Sequence, residues 1–540
     1  MTINEAVEVE SKFEVADDIR TPSADSFAPL VADAPVEHEL SAVYYDTDDL
    51  SLTRHKVTLR RRTGGDDEGW HLKLPAHAGR IELQAPLGDE VPEELLSAVA
   101  GLVRRRPLAP VAQIDNLRQV HTLRDADGTA VIEFCDDHVS TQSLVGGGSA
   151  ATWREWEAEI VDPSRPDARA HLAAVAAACT DAGATTSSSS SKLARAIGPL
   201  PDAGAEGVSP VRDALARDLD KLLDHDPAAR RTTMTGVHQM RVAVRGLRST
   251  ISTYAAELEA RTSDSDLDLP ALLSELKVLA AVLGKLRDIQ VVDERLATLA
   301  AGYPEDVVSP PTRRRLRTEL DAEARRAGDR VTAALLSDRY LDLVDRLHDL
   351  VHVAGTGPSA DSDESTTGGK AQRREAEELL LRGVDRQFER FTKVRTRTER
   401  DLAELDLTLA EREELTHVVR KRAKALRRNV SALSETDELR VAPLRDACQR
   451  LHTVLGDVQD SVTARQWLRR IARRAETAGE STFGFGVLFE HERGFSERAL
   501  DGFEGDAAAV TAAYRELSES RRSARKRRKK KGKKAKKGKK

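Results

Sequence analysis

Aromatic residues make up only 4% of this 540-residue chain. Its cores must therefore be built from Leu, Ala and Val, and with 32% charged residues the composition suits long amphipathic helices. Cysteine is scarcer still: Cys135, Cys179 and Cys448 lie far apart, with no metal or redox spacing. That excludes a disulfide framework and a zinc cluster, and it points to a reducing interior. No run of about 18 apolar residues occurs, and the acidic N-terminus lacks an apolar signal core, so the expectation is a soluble, cytoplasmic protein with no membrane span. The length fits two or more domains.

The net charge of −6 conceals an asymmetry. From Arg521 onward RRSARKRRKKKGKKAKKGKK carries 15 Lys/Arg and no acid, leaving 69 basic against 90 acidic residues in the rest. Such a tail is expected to be disordered and to grip polyanions, whether nucleic acid, polyphosphate or an anionic surface, through counterion release.

Residues 1–198 read as strand-rich, with short alternating runs separated by turns such as RTGGDDEG (62–69) and DADG (125–128). A Pro/Gly linker follows at 199–210. From 211 to 505 apolar residues recur at spacings of three and four, which predicts helices. A second linker, 354–369, divides this helical region into halves 211–353 and 370–505; residues 506–540 hold the helix end and the tail.

The strands share a pattern. In VEVESKFEV (7–15) Glu8, Glu10, Lys12 and Glu14 fall on one face, with Val7, Val9, Phe13 and Val15 on the other. Arg60 and Arg62 share a face of TLRRR. His71 and Lys73 do so in WHLKL, Arg80, Glu82 and Gln84 in RIELQ, and Glu155, Glu157 and Glu159 in WEAEI. Rolled into a barrel, these strands put their charged faces in the lumen. Crowded acids need divalent cations and crowded bases a multiply charged anion; Mg²⁺ or Mn²⁺ bridged to a polyphosphate satisfies both.

The helical region repeats. HQMRVAVRGLR from His238 and HVVRKRAKALR from His417 share the spacing His-x-x-Arg-x-x-x-(Arg/Lys)-x-x-Arg, and LGKLRD (283–288) is answered by LGDVQD (455–460). His238, Arg241, Arg245 and Arg248 fall within one arc of a helix, as do His417, Arg420, Lys424 and Arg427. These basic stripes suit phosphate. Asp288 and Asp460 either orient the histidines or cap helices.

Glu8-Val9-Glu10-Ser11-Lys12 resembles the ExExK motif of the CYTH domain, the triphosphate tunnel metalloenzyme family. YYDT (44–47), LRRR (59–62), Lys73, Arg118, Asp137, Glu157, Glu159 and SKLARA (191–196) follow in family order. The repeated His/Arg helix resembles the CHAD domain, a helical module associated with polyphosphate. Gly246 departs from that family's usual basic residue. The resemblance implies an α+β multidomain protein: an eight-stranded antiparallel β-barrel with covering helices, then an all-α duplicated bundle and the disordered tail.

It further implies a metal-dependent inorganic triphosphatase. Arg60, Arg62, Lys73, Arg118, Lys192 and Arg195 would bind substrate, and Glu8, Glu10, Asp137, Glu157 and Glu159 would hold metal. Lys12, Glu157 and Glu159 would be catalytic. His238, Arg241, Arg245, Arg248, His417, Arg420, Lys424 and Arg427 would bind polyphosphate, which allows association with polyphosphate granules. Asp136 and Asp137 both remain candidates for the metal, Glu155 would extend the metal set, and Glu133 is a candidate for its surroundings. The same tunnel would also suit an adenylyl cyclase or a thiamine or nucleoside triphosphatase, and a non-catalytic granule-binding protein is the remaining alternative.

Overall fold

The structure is a computed structural model that describes residues 3–537 apart from 77–78, 147–148, 190, 201–209, 264, 356–367, 405, 432 and 434–439. Most of both expected linkers therefore lies outside the described residues. The chain forms two compact units, Met1–Arg287 with Ala327–Gly357, and Asp288–Arg326 with Pro358–Lys540.

In the first unit the strands are β1 (Asn4–Glu8), β2 (Glu10–Val15), β3 (Val31–Ala32), β4 (Val36–Asp46), β5 (Thr58–Thr63), β6 (Gly69–Ala76), β7 (Gly79–Ala85), β8 (Ala109–Arg124), β9 (Ala130–Ser143), β10 (Ala150–Ile160) and β11 (Thr185–Thr186). They make one antiparallel sheet in the order β1-β7-β6-β5-β4-β8-β9-β10-β2-β11, with β3 beside β8. β1 and β2 are successive pieces of one segment, so the sheet curls until its two ends meet on it. Glu8 pairs with Arg80 on one side of the break and Glu10 with Glu159 on the other. At the break, the Ile160 amide donates to the Val9 carbonyl at 3.0 Å. Counting β1 and β2 as one strand, and setting aside the two-residue β3 and β11, gives the expected eight.

The outward faces are apolar because the alternation demands it. Val9, Phe13, Phe134, Trp156, Ala158 and Ile160 pack with the long covering helix Ala168–Asp181 through Leu172, Val175 and Cys179. Val7 on β1 and Val36 on β4 are left exposed. Part of the inner face is apolar too: Ala42, Tyr44, Ile114 and Val139 receive Leu193 and Ala196 of the helix Lys192–Ile197. Ser191 caps this helix by accepting from the Ala194 amide at 3.1 Å. The YYDT motif is a local brace, in which buried Asp46 accepts from the amides of Leu52 and Thr53 at 2.9 and 2.8 Å.

The same unit holds the first run of helices, among them Pro210–Asp224, Asp226–Arg230, Met234–Thr253 and Asp338–Gly355. A buried ionic seam joins them to the sheet domain. Asp226, fully buried, accepts from Arg230 Nε at 2.5 Å and from the Tyr340 hydroxyl at 2.6 Å, while Arg230 also donates to the Ser97 carbonyl at 3.2 Å. Buried charges of this kind hold only when fully paired. At the exposed rim of this seam Arg104 pairs with Asp345 at 2.9 Å and Arg105 with Asp342 at 2.8 Å.

The second unit packs Leu381, Phe391, Val419, Leu426, Leu444, Leu451 and Leu455 with Phe503, Val510 and Leu517 in one core. The last three belong to the helix Phe503–Lys537, so the boundary drawn at 505 falls inside a packed helix. That helix continues into the basic run from Arg521. Its packed first turns nucleate it, and Arg, Lys and Ala propagate helix well.

Candidate functional site

The inward charged faces converge on one cavity of about 330 Å³, lined by Glu8, Glu10, Lys12, Arg60, Arg62, Lys73, Arg118, Glu157, Glu159 and Lys192 among others. Ten of the residues expected in the tunnel are thus brought together, from six strands and one helix. Asp137 borders it: fully buried, its carboxylate receives Arg118 Nε at 2.7 Å and Nη2 at 2.6 Å. Its neighbour Asp136 points the other way into a buried pair with Arg154 at 2.6 Å, which removes it as a ligand.

The acids form two groups with different surroundings. In the first, Asp137, Glu155 and Glu157 lie close enough for one oxygen of each to meet a single ion. Protein cations already fill that position. Lys192 Nζ reaches Glu155, Glu157 and Asp137 at 2.6, 2.8 and 2.9 Å, Arg118 reaches Glu157 at 2.5 Å, and Lys12 also pairs with Glu157. Burial opposes ionisation of Glu157, yet Lys12, Lys192 and Arg118 together hold its carboxyl well below the usual range.

The second group is Glu8, Glu10 and Glu159. Burial, then the charges of Glu8 and Glu10, push Glu159 up to about 8, with Lys73 opposing. Glu8 binds Lys73 through Oε1 at 2.7 Å, but its Oε2 is buried without a hydrogen-bond partner. Crowded carboxylates with an orphaned oxygen are the donor set a hard divalent cation fits, and this group meets that condition better than the first.

On the basic side Arg60 lies 3.3 Å from the Tyr44 hydroxyl and 3.8 Å from Glu82, and Lys73 lies 3.7 Å from Glu82. Both nitrogens of His71 meet acceptors, Glu82 and the Asp67 carbonyl, each at 2.9 Å. Burial and the neighbouring Arg60 and Arg118 pull Arg62 down to about 9. Arg195 is not brought into the cavity: three residues past Lys192, its guanidinium sits over the Trp153 ring, 4.6 Å from the centroid. Glu14 also leaves the set and accepts from Ser188. Glu82, Tyr44 and Asp67 are lining residues to which the sequence reading gave no role; Glu82 carried a signal in its phase with Arg80, whereas Asp67 lies in a turn and carried none.

In the helical region His238, Arg241, Arg245 and Arg248 lie on Met234–Thr253, and His417, Arg420, Lys424 and Arg427 on Leu409–Ser431. The repeated LG dipeptide lies against the stripes: a Cβ at Gly284 would stand at ordinary contact distance, 3.6 Å, from the Arg241 guanidinium, and one at Gly456 3.6 Å from that of Arg420. Burial, then Arg287, Arg241 and Arg245, lower the His238 pKa; burial, Lys421 and Arg420 do the same to His417. Gly246 is explained by contact: a Cβ there would come within 2.4 Å of the Asp218 carboxylate.

Family models match residues 6–149 as a CYTH domain and 213–469 as a CHAD domain. The chain is a CYTH–CHAD protein. Curated relatives described as uncharacterized proteins MT2285 and Rv2226, from Mycobacterium tuberculosis strains CDC 1551 and H37Rv, are 35% identical over 534 residues, covering 94% of this chain and 97% of theirs. Among solved structures, the CHAD domain of the plant Ricinus communis is 20% identical, covers 57% of this chain and 94% of that one, and has a TM-score of 0.38. HpAC1 of Hippeastrum, described as having a dominant triphosphatase activity, is 16% identical, covers 36% and 97%, and has a TM-score of 0.22. No helix among the described residues is long and apolar enough to cross a membrane.

Proposed function

We propose that this CYTH–CHAD protein hydrolyses inorganic triphosphate in the lumen of its curled sheet and binds polyphosphate on its helical stripes. The observation that carries the reading is the convergence of Arg60, Arg62, Lys73 and Arg118 with Glu8, Glu10 and Glu159 on one cavity. Anion binding alone does not call for carboxylates there.

In this reading Arg60, Arg62, Lys73 and Arg118 bind phosphoryl oxygens and oppose the charge that develops on them. Asp137, Glu155 and Glu157 orient Arg118, Lys192 and Lys12 by direct contact, a role different from the metal binding first expected of Asp137 and Glu157. Glu8, Glu10 and Glu159 would hold Mg²⁺ or Mn²⁺, which when bound supplies charge neutralisation and a more acidic water. The stripes of His238 and His417 and the basic C-terminal run would retain long polyanions, polyphosphate foremost, and so place the protein on polyphosphate granules.

The test is phosphate release from tripolyphosphate by the full chain, with Mg²⁺, with Mn²⁺ and with chelator. Metal-dependent release is the expected result. Inert tripolyphosphate with formation of cyclic AMP from ATP would replace the assignment by a cyclase.

A further inference from the structure

Lys12, Arg60, Arg62, Lys73, Arg118 and Lys192 each have a carboxylate neighbour, but one neighbour differs in kind. Glu8, Glu10, Glu82, Asp137 and Glu157 stand on strands of the sheet and cannot leave without breaking it. Asp67, the ion-pair partner of Arg62, stands on the turn between β5 and β6. Its side chain is 53% exposed, against 7% for Arg62, so one side of the pair faces solvent.

The turn is built to hold that carboxylate in place. The Asp67 carbonyl is bound by His71 Nε2 at 2.9 Å and Gln84 Nε2 at 3.1 Å, which fixes the backbone independently of the side chain. Gly64, at φ +83°, lies so close to β4 that a Cβ would meet the Glu39 carbonyl at 2.1 Å. Arg62 in turn is crowded by Arg60 and Arg118, which makes it the cation in greatest need of an anion. A phosphoryl group entering here must displace Asp67.

The competition depends on charge. A free terminal phosphoryl group carries close to two negative charges near neutral pH, its second pKa being about 6, whereas an interior or esterified one carries a single charge, no more than the carboxylate it must replace. We propose that Asp67 is a specificity residue of the tunnel, withholding Arg62 from singly charged phosphoryl groups and yielding it to the doubly charged end of an inorganic triphosphate. This rests on the triphosphatase reading with the end of the chain opposite the cleaved group seated at Arg62: an inorganic triphosphate is doubly charged at both ends, whereas a nucleoside triphosphate presents there its singly charged, esterified α-phosphoryl group.

The experiment compares full-length wild type, Asp67→Asn and Asp67→Glu with tripolyphosphate and with ATP, both with Mg²⁺, by calorimetric Kd and by kcat and KM for phosphate release. Wild type should bind tripolyphosphate more tightly. Asp67→Asn should shrink the preference about three- to fivefold, the scale of one half-exposed ion pair, chiefly through a lower KM for ATP, and Asp67→Glu should keep it. A preference equal in wild type and Asp67→Asn overturns the assignment, as does equal loss with both carboxyl-bearing and amide variants. If the binding preference shifts as expected while no phosphate is released from either compound, Asp67 keeps its role and hydrolysis falls. Failure of wild type to bind either compound sinks both.

Discussion

Gly101 lies so close to Asp226 that a Cβ on the glycine would stand 2.5 Å from the carboxylate. Asp226 has no room to yield, because Arg230 and Tyr340 grip it in full burial. Gly101→Ala should therefore cost about 2 kcal/mol or more, the scale of overpacking beside a fixed polar group, although Ala is the better helix former. Chemical denaturation of the full chain measures this, and an unchanged midpoint would show that the seam is slack.

Arg118 meets Asp137 through two nitrogens at once, a fork that lysine cannot reproduce. Arg118→Lys should lower kcat on tripolyphosphate by about a hundredfold, with a smaller change in KM. Steady-state kinetics decide between this and a purely charge-based role, for which Lys would serve nearly as well.

The two acid groups predict opposite phenotypes. Glu159→Gln should raise the Mg²⁺ concentration needed for half-maximal activity, because it removes an ionisable oxygen ligand from the group with the orphaned Glu8 oxygen. Asp137→Asn should leave that metal requirement nearly unchanged while loosening Arg118 and Lys192. Metal titrations of the two variants check this; a shift in Asp137→Asn as large as in Glu159→Gln would contradict the division.

The seam also responds to acid. Burial, together with Arg104 and Arg106, pulls His348 down to about 4. Its folded pKa lies below the unfolded value of about 6.5, so unfolding takes up a proton between these values. The contribution is complete above about 6.5 and is lost as pH falls toward 4. Thermal unfolding from pH 7 to 4 should show His348→Phe losing less stability across that window than wild type; parallel curves would exclude the residue.

What was legible in the sequence followed from period two and from the repeat. Alternation alone placed Glu8, Arg60, Lys73 and Glu159 on inward faces, and the duplicated spacing placed both histidine stripes on helices. Contacts set by register were not legible: Arg118 against Asp137 depends on how β8 pairs with β9. The same holds for Arg195, turned onto Trp153 by a helix whose packing the sequence does not state, and for Gly246, whose reason is the distant Asp218. Asp67 was hidden because turn residues have no face to be assigned to.

The strand that closes the sheet is broken at Val9, and its two pieces pair with β7 and β10. On a ribosome this segment emerges before the rest of its sheet, yet its partner strand around Glu159 follows some 150 residues later. Until then its glutamates and lysine stay in water, where they cost nothing to keep ionised. Long-range closure of this kind is slow, so a nascent chain acquires its charged interior only at the final step of assembling that domain.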